Sequence, residues 1–550
     1  MTTEITLEHG RRLERALAAF TDAALRHASK LTGGGRNIDD HQVHAERMAQ
    51  LATELRAVQD FLAYAEGIAK EGRGDALIDR MAIAFGGEIT ARAFASATAA
   101  AEDYGIDAAT LTRTIGDPEI LKLARQAMHE SSLREIGRQV ASQGGQNNLW
   151  LGDEVLTATR DSVRVFARNE VAPFAEKLHR QDGLVSDALI AKMAEQGYFG
   201  LSVPEEYGGT EFGNLAMILT TEELAAASLA GAGSLITRPE ILAKALQGGG
   251  TEEQKKKWLP PIASGRLMVG IAVTEPNVGS DVASVSCAAE RGTQNGVEGW
   301  FITGPKAWCT FAGRANVLAL LARTNPDRAL GAKGLSLFIV PKDPFPGHGF
   351  EMKQPGGGSL VGKADATPGY RGMHSYTLQF DRYFVPAEHL VGGPAGEGKG
   401  FALQMAGFAA GRLQTGGRAC GVMQAALQVT AEYVTSRNQF GKPLIDFQLT
   451  QHKLGRMATH LNAARQLTYG AARVMDEKGG EAALEPAQAK LFASDSAVWV
   501  SQEGQLLHGG WGYAEEYAIS RYVVDAQVLP IFEGVKPILE LKVIARALLK

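Results

Sequence analysis

The stretch VGIAVTEPNVGSD, residues 269–281, marks the point where the sequence changes from helical to β-type patterning. Before it, hydrophobic residues recur at three- and four-residue steps, which is typical of amphipathic helices. After it, short β-rich segments alternate with turn residues, and residues 317–321, 335–340 and 376–380 are predicted strands. From about residue 397 the periodicity is helical again. The sequence therefore predicts a mainly α protein with a central β-domain.

The same changes of pattern predict four segments. A helical N-terminal extension is expected over residues 1–148, and a stretch rich in Gly, Gln and Asn makes a plausible linker at its end. A helical domain over 149–268 follows, in which Pro260-Pro261 is predicted to stop a helix. The middle β-domain covers 269–396, and a C-terminal helical bundle domain covers 397–550.

Composition limits the class of protein. The chain has 550 residues, of which 45% are hydrophobic and 21% charged, and its formal net charge is -5. Strong binding to nucleic acid or to an anionic membrane is therefore not expected. Cys287, Cys309 and Cys420 are widely separated, which argues against a disulfide framework and a zinc site. Because neither a signal peptide nor a membrane span is apparent, we expect a cytoplasmic protein.

Two segments near the start of the β-region carry candidate cofactor-binding groups. In VTEPNVGSD, Thr274 and Ser280 offer hydroxyls, and Gly279 allows close approach of a ligand to the backbone. The alternative is a polar turn after a strand. In GPKAWCTF, Trp308 and Thr310 stand two apart in a predicted strand and are expected to point the same way, flanking a flat aromatic cofactor. The alternative is a core tryptophan beside a strand threonine.

Two segments in the C-terminal region carry further candidates. In RNQFGKPLIDFQ, between two predicted helices, Arg437 and Gln448 have the groups needed to hold a pyrophosphate. A solvated helix connection is the alternative. In QLLHGGWGY, three glycines permit close backbone approach to a ligand or another chain. A simple helix stop would explain them equally.

The fifth segment, LPIFEGVKPI, places Glu533 between Phe532 and Gly534 among apolar neighbours. Partial desolvation makes a carboxylate a stronger base, which suits a group that accepts a proton from carbon. The alternative is that Glu533 is one of 61 acidic residues on a surface.

The other sequence patterns are weaker indications of a functional site. GPAGEGKG, residues 393–400, ends in Gly400 rather than Ser or Thr and is not expected to bind phosphate. His41 and His44 are better explained as a polar helix start, and His374 and His508 have no ligand pattern around them. No metal site is predicted. No well-placed G-x-G-x-x-G supports a Rossmann site.

In their order and separations the five segments resemble the acyl-CoA dehydrogenase family, from about residue 150 to the C-terminus. Weaker marks are VPEEYGG at 203–209, EEQKKKWLP at 252–260 and GYRG at 369–372. The resemblance implies a helical domain, a β-barrel-like middle domain and a C-terminal four-helix bundle. It also implies FAD between the last two, with the adenine end against a neighbouring subunit.

The resemblance further implies roles for individual residues. Glu533 matches the general base, and its backbone N–H, with a ribityl hydroxyl of FAD, would bind the thioester oxygen. Some members instead carry the base immediately before the residue that matches Arg412, but Gly411 stands there and cannot accept a proton. Ser280, Arg412 and Gly534 match positions near the acyl-CoA. The positions that match FAD contacts are Thr274, Gly279, Ser280, Trp308, Thr310, Arg437, Phe440, Gln448, Gln505 and Gly509.

The extension and the core together resemble members that act on a short, branched acyl-CoA ending in a carboxylate. Arg238, in SLITRPE, is a candidate partner for that carboxylate, the alternative being an arginine at a helix end. An electron-transfer flavoprotein would accept the electrons, and a homodimer is expected, with the extension in a structural role. Rival functions are dehydrogenation of another short branched or dicarboxylic acyl-CoA, an acyl-CoA oxidase, and a nucleic-acid-binding relative that retains FAD.

Overall fold

In the computed structural model, which describes residues 5–478 and 482–550, the described part of the N-terminal extension consists of helices and the turns between them. Seven α-helices, numbered in chain order, make up this region: α1 (Leu7–Leu31), α2 (Gln42–Lys70), α3 (Ala76–Ala99), α4 (Ala101–Tyr104), α5 (Ala108–Arg113), α6 (Pro118–Ala127) and α7 (Glu130–Ser142). Aspartates cap three of them, since Asp75, Asp107 and Asp117 accept backbone N–H groups of the first turns of α3, α5 and α6.

Six further helices precede the β-region: α8 (Glu154–Phe166), α9 (Ala172–Arg180), α10 (Asp187–Glu195), α11 (Gly213–Ala227), α12 (Thr237–Gly249) and α13 (Glu252–Ala263). The prediction that Pro260-Pro261 stops a helix is wrong, because both prolines lie inside α13. A proline lacks the N–H donor but keeps its carbonyl acceptor. The carbonyl of Pro260 accepts Ser264 N at 3.1 Å, so the helix continues to Ala263 before it ends.

The central region is a β-sheet, as predicted. Its strands are β1 (Val269–Ala272), β2 (Ala288–Gln294), β3 (Val297–Thr310), β4 (Val317–Arg323), β5 (Leu335–Pro341), β6 (Gly349–Lys353), β7 (Ser359–Ala364) and β8 (Ser375–Pro386). The order is β1-β4-β2-β3-β8-β7-β6, with β5 paired to β4. The pairs β1/β4 and β2/β4 are parallel, and the other pairings are antiparallel.

Strand β4 is buried along its whole length because both faces of the sheet are covered there. Leu318 and Leu320 pack into one hydrophobic core together with helical residues between 163 and 236. Val317 and Leu321 pack into a second core together with α12 and α13. The alternation of side chains along a strand therefore serves two cores, which is why β4 reads as a continuous apolar run.

The C-terminal region is helical again, so the predicted mainly α fold with a central sheet is confirmed. It contains α14 (Gly400–Ser436), a two-stranded hairpin of β9 (Asn438–Gln439) and β10 (Lys442–Pro443), and then α15 (Gln448–Glu477), α16 (Leu484–His508), α17 (Ile519–Ala526), α18 (Lys536–Ile538) and α19 (Arg546–Leu548). None of the described helices has both the length and the apolar character needed to cross a bilayer.

The chain divides into two compact units. The first unit contains residues 5–161, 415–478 and 482–550, and thus combines the extension with most of the C-terminal helices. The second unit is Ser162–Gln414 and contains the sheet with the helices around it. Each unit is described by itself below.

Within the first unit, two glycines allow α7 of the extension to pack directly on α15. A Cβ atom at Gly137 would lie 1.8 Å from the carbonyl oxygen of Gln451. A Cβ atom at Gly455 would lie 2.1 Å from the carbonyl oxygen of Leu133. The backbones of the two helices are therefore in contact, and the extension shares a core with the C-terminal helices.

We expect Gly137→Ala to destabilise the first unit by about 3 kcal/mol, because the added methyl group can only be accommodated by moving one backbone away from the other. Gly67→Ala is the matched control, since a Cβ atom there would meet nothing within 4 Å. That change should be neutral or stabilising by up to about 1 kcal/mol, through helix propensity alone. Urea unfolding followed by circular dichroism measures the stability of both variants. Equal unfolding midpoints for Gly137→Ala and Gly67→Ala would contradict the close packing of α7 on α15.

Candidate functional site

Glu533 lies in a turn between α17 and α18, where its conformation is held by neighbouring groups. It is 9% exposed and has a φ of 56°, in the left-handed region that residues other than glycine rarely adopt. The next residue, Gly534, has a φ of 101°. Strained backbone of this kind persists only where the surroundings impose it, and it is concentrated at functional sites.

Two cations of the first unit hold this turn. The Nζ atom of Lys490, which is fully buried, donates to the carbonyl oxygen of Gly534 at 2.7 Å. The guanidinium carbon of Arg418 lies 4.6 Å from the centroid of the Phe532 ring, a cation–π distance. Sequence reasoning missed both residues, and no local motif marks either of them.

The first unit contains a cavity of about 600 Å³, within the range of about 300–1,000 Å³ that is typical of small-molecule sites. Its lining joins two segments that the sequence analysis singled out, since Arg437 and the Gly509-Gly510 pair all contribute to it. Gly509 has a φ of 62°, and a Cβ atom there would meet nothing within 4 Å. The cavity therefore combines a guanidinium with uncovered backbone, as an anionic ligand requires.

The other predicted residues of these segments take different positions. Phe440 is 93% exposed with a φ of 53°, and Gln448, the first residue of α15, is also exposed. Gln505 donates from Nε2 to the carbonyl oxygen of Gly512 at 3.0 Å, so its amide holds the glycine-rich turn. None of these three residues lines the cavity.

In the second unit, the loop after β1 carries Thr274, Gly279 and Ser280. Gly279 and Ser280 are exposed, and a Cβ atom at Gly279 would meet nothing within 4 Å. Thr274 is half-buried, and its carbonyl oxygen accepts Ala307 N at 2.8 Å. This bond ties the loop to β3, where Trp308 and Thr310 lie.

A buried ion pair that sequence reasoning missed reinforces this connection. Glu275 accepts hydrogen bonds from the backbone N–H groups of Ser286 and Cys287 and from Lys306 Nζ, which lies 3.0 Å from Oε1. Lys306 is 0% exposed and also donates to the carbonyl oxygen of Val273 at 2.9 Å. Burial by itself raises the pKa of Glu275, but the Lys306 charge and the hydrogen bonds outweigh it, and the pKa lies below its ordinary value.

Trp308 and Thr310 are adjacent to an irregularity that the sequence analysis did not foresee. The register of β3 against β8 shifts between Lys306 and Cys309, and Trp308 has a φ of 57°. Trp308 is 59% exposed whereas Thr310 is buried, with its Oγ1 atom 3.1 Å from Ser375 Oγ. Strand alternation therefore does not govern this pair, and the bulge sets the direction of each side chain.

Arg412 and Arg238, the two arginines expected near the acyl-CoA, lie on α14 and α12 of the second unit. Arg412 is half-buried, and Arg238, the second residue of α12, is 4% exposed. The two helices pack closely, since Thr237 Oγ1 hydrogen-bonds Gln414 Oε1 and a Cβ atom at Gly407 would lie 2.9 Å from the carbonyl oxygen of Ile241. Arg238 is thus at a helix start, as the alternative interpretation held, but it is buried there.

Three protein-family models match most of the chain after the extension. The model described as "Acyl-CoA dehydrogenase, N-terminal domain" matches residues 153–266. The middle-domain model of the same family matches residues 270–383, and the C-terminal-domain model matches residues 398–549.

Individual relatives agree with this. A (2S)-methylsuccinyl-CoA dehydrogenase of Cereibacter sphaeroides is 38% identical over 534 residues, which cover 93% of this chain and 91% of the relative. The solved structure of butyryl-CoA dehydrogenase from Megasphaera elsdenii matches with a TM-score of 0.65 and 30% identity, over 74% of this chain and 100% of that one. A glutaryl-CoA dehydrogenase from Mycobacterium smegmatis in complex with FADH2 matches with a TM-score of 0.62 and 25% identity, over 70% of this chain and 92% of that one. With all three family domains present in order, the chain belongs to the acyl-CoA dehydrogenase family of FAD-dependent oxidoreductases.

Proposed function

We propose that the protein oxidises (2S)-methylsuccinyl-CoA to mesaconyl-CoA, by removing one hydrogen from each of the α- and β-carbons. The observation that carries this choice is the extent of the likeness to the Cereibacter sphaeroides enzyme. That likeness covers 93% of this chain and so includes the extension, whereas the match to butyryl-CoA dehydrogenase covers 74%. A shared extension and a shared core together favour a shared substrate.

Glu533 is the proposed base for the α-proton. Its carboxylate is largely withdrawn from water, and its backbone is held in one conformation by a turn that Lys490 and Arg418 contact on either side of it. A carboxylate with little water around it and a fixed position suits proton abstraction from carbon. Its backbone N–H is proposed to donate to the thioester oxygen, where negative charge develops as the proton leaves.

The residues present fit FAD. The cavity beside Arg437 and Gly509 combines a cation with uncovered backbone and suits a diphosphate. The Thr310 hydroxyl, which contacts Ser375 Oγ near the strand bulge, is the proposed partner of a flavin ring nitrogen. When bound, FAD supplies flavin N5 as the acceptor of the β-hydrogen with its electron pair. The remaining residues proposed to hold FAD are Thr274, Gly279, Ser280, Trp308, Phe440, Gln448 and Gln505.

Arg238 is the proposed partner of the substrate's free carboxylate. A carboxylate transferred from water into a protein needs a cation or several donors, and a guanidinium can bind it through two hydrogen bonds. The guanidinium of Arg238 is buried on α12 and is of the kind that binds a carboxylate. Ser280, Arg412 and Gly534 are proposed to contact the thioester and CoA parts of the substrate. An electron-transfer flavoprotein is the proposed acceptor of the electrons, and a homodimer the proposed assembly.

The proposal is tested by mixing the yellow, FAD-loaded protein with acyl-CoA thioesters under anaerobic conditions and following the loss of flavin absorbance. (2S)-Methylsuccinyl-CoA should bleach the flavin faster than 2-methylbutyryl-CoA, which lacks the carboxylate, and faster than glutaryl-CoA, which lacks the branch. Faster bleaching by either of the other two would assign a different substrate. Rapid peroxide formation in air would instead favour an oxidase.

The same assay tests the role of Arg238. In Arg238→Met, the concentration of methylsuccinyl-CoA that gives half the maximal bleaching rate should rise about 10- to 100-fold, the cost of losing a charge-assisted hydrogen bond of about 1.5–3 kcal/mol. The corresponding concentration of 2-methylbutyryl-CoA should change little. Arg266→Met, at an exposed arginine of the same unit, is the control. An equal rise for both substrates would remove Arg238 from carboxylate recognition.

A further inference from the structure

Three segments of the second unit that are distant in sequence bring two imidazoles and a carboxylate together. Asp182 follows α9, His348 lies between β5 and β6, and His374 directly precedes β8. One ligand atom from each lies within 4.8 Å of the others. In the part of the chain that the structure describes, this is the one group of three or more His, Cys, Asp or Glu side chains arranged in this way.

The separations approach those of a tetrahedral metal site. With metal–ligand bonds of about 2.1 Å, ligand atoms in a tetrahedral zinc site lie about 3.4 Å apart. Asp182 Oδ1 is 3.0 Å from His374 Nε2, and Asp182 Oδ2 is 4.0 Å from His348 Nδ1. The two distances run to different oxygens of the carboxylate, and one ligand atom from each residue lies within 4.8 Å of the others, so a metal ion is held once the exposed Asp182 and His348 side chains rotate towards His374.

The chemistry of the three ligands selects the metal. Two imidazole nitrogens and one carboxylate oxygen suit zinc and other divalent first-row transition metals, whereas magnesium and calcium prefer oxygen alone, and zinc is the member of that group without redox chemistry. The His374 side chain is 3% exposed, but those of Asp182 and His348 are 44% and 48% exposed, so an ion can enter from solvent.

Arg371 is the neighbouring cation, and it has other attachments. Its Nε lies 3.3 Å from Asp182 Oδ1 and donates to the carbonyl oxygen of Thr367 at 3.1 Å, and its Nη1 donates to the carbonyl oxygen of His179 at 3.2 Å. The guanidinium therefore shares Oδ1 with His374, while Oδ2 of the same carboxylate is directed towards His348.

We propose that Asp182, His348 and His374 bind one zinc ion, with water as the fourth ligand. The ion joins the loop after α9 to two segments of the β-region. His374 also connects the site to β3, because its carbonyl oxygen accepts Phe311 N at 2.8 Å and the adjacent Ser375 hydroxyl contacts Thr310. An ion bound there restrains the end of the strand that carries Trp308 and Thr310.

The test uses the full-length, FAD-loaded protein after treatment with a chelator. Zinc titrated by calorimetry and counted by elemental analysis should bind at one ion per chain and raise the melting temperature, and Mg²⁺ should do neither. Tetrahedral cobalt should show absorption bands at wavelengths beyond those of the flavin. His348→Ala should weaken zinc binding by at least about 100-fold. Loss of a residue that only hydrogen-bonds to a metal ligand costs up to about 100-fold in affinity, and loss of a ligand itself should cost no less.

Asp182→Asn provides a second variant that should still fold, because asparagine tolerates the φ of 53° at this position. It should also lose tight zinc binding. His44→Ala is the control, since it removes one imidazole of the half-buried His41–His44 pair elsewhere in the chain. Zinc binding well below one ion per chain, or equal binding by the wild type, His348→Ala and Asp182→Asn, would overturn the proposal.

Discussion

Replacing Glu533 with glutamine is expected to abolish bleaching of the flavin by the acyl-CoA substrate while leaving a folded protein that retains FAD. Glutamine has nearly the same size and meets the same backbone strain at a φ of 56°, so the turn should persist. It cannot accept the α-proton. A positioned base contributes about 10² to 10⁴ in rate, and the bleaching rate should fall by at least that factor.

The measurement is stopped-flow absorbance with saturating substrate, compared with the wild type. Glu119→Gln makes the same chemical change at an exposed position on α6 and should leave the rate unchanged. Binding of a non-reactive acyl-CoA analogue, followed by the shift it causes in the flavin spectrum, should survive in Glu533→Gln. A bleaching rate equal to that of the wild type would remove Glu533 from the proton-transfer step.

The second large effect is expected at the buried ion pair of Glu275 and Lys306. Lys306→Met leaves a carboxylate in a nearly dry environment without its cation, and Glu275→Gln leaves the ammonium without its anion. Removing one partner of a buried pair costs about 3–5 kcal/mol. Because the pair joins the loop of Thr274 to β3, we also expect weaker retention of FAD, measured by ultrafiltration.

Urea unfolding of the two single variants and of the double variant Glu275→Gln/Lys306→Met measures the interaction energy between the two side chains, apart from their contacts with other residues. The double variant should lose less stability than the sum of the two single losses, because neither charge is then left alone. Lys363→Met, at an exposed lysine on β7, should change the free energy of unfolding by less than about 0.5 kcal/mol. Additive losses in the double variant would contradict the pair as a unit.

The pH dependence of this effect follows from the lowered pKa of Glu275. A carboxyl whose pKa is lower in the folded than in the unfolded protein contributes stability that is fully present above the unfolded value. The ordinary value is 4.5, so the difference between wild type and Glu275→Gln should be full at neutral pH. This difference in the free energy of unfolding should become smaller as the pH falls below 4.5, and it should be lost once the pH is below the pKa of Glu275 in the folded protein.

Sequence reasoning succeeded where a pattern is local. The strands at 317–321, 335–340 and 376–380 were predictable because β-rich runs bounded by turn residues are a local signal. It failed at Pro260-Pro261 and at Trp308, where the outcome depends on what surrounds the segment. A helix can pass through two prolines when it ends one turn later, and alternation along β3 is interrupted by a bulge against β8.

The sequence by itself determined the order of helical and strand segments and the family to which the five short motifs belong. Both can be read from the sequence because hydrophobic periodicity and motif order are properties of consecutive residues. Only the tertiary structure decided which distant residues meet. Lys490 contacts Gly534 beside Glu533, Lys306 neutralises Glu275, and Asp182 lies close to both His348 and His374. Such contacts have no sequence signature, because each partner is brought into place by the packing of a different helix or strand.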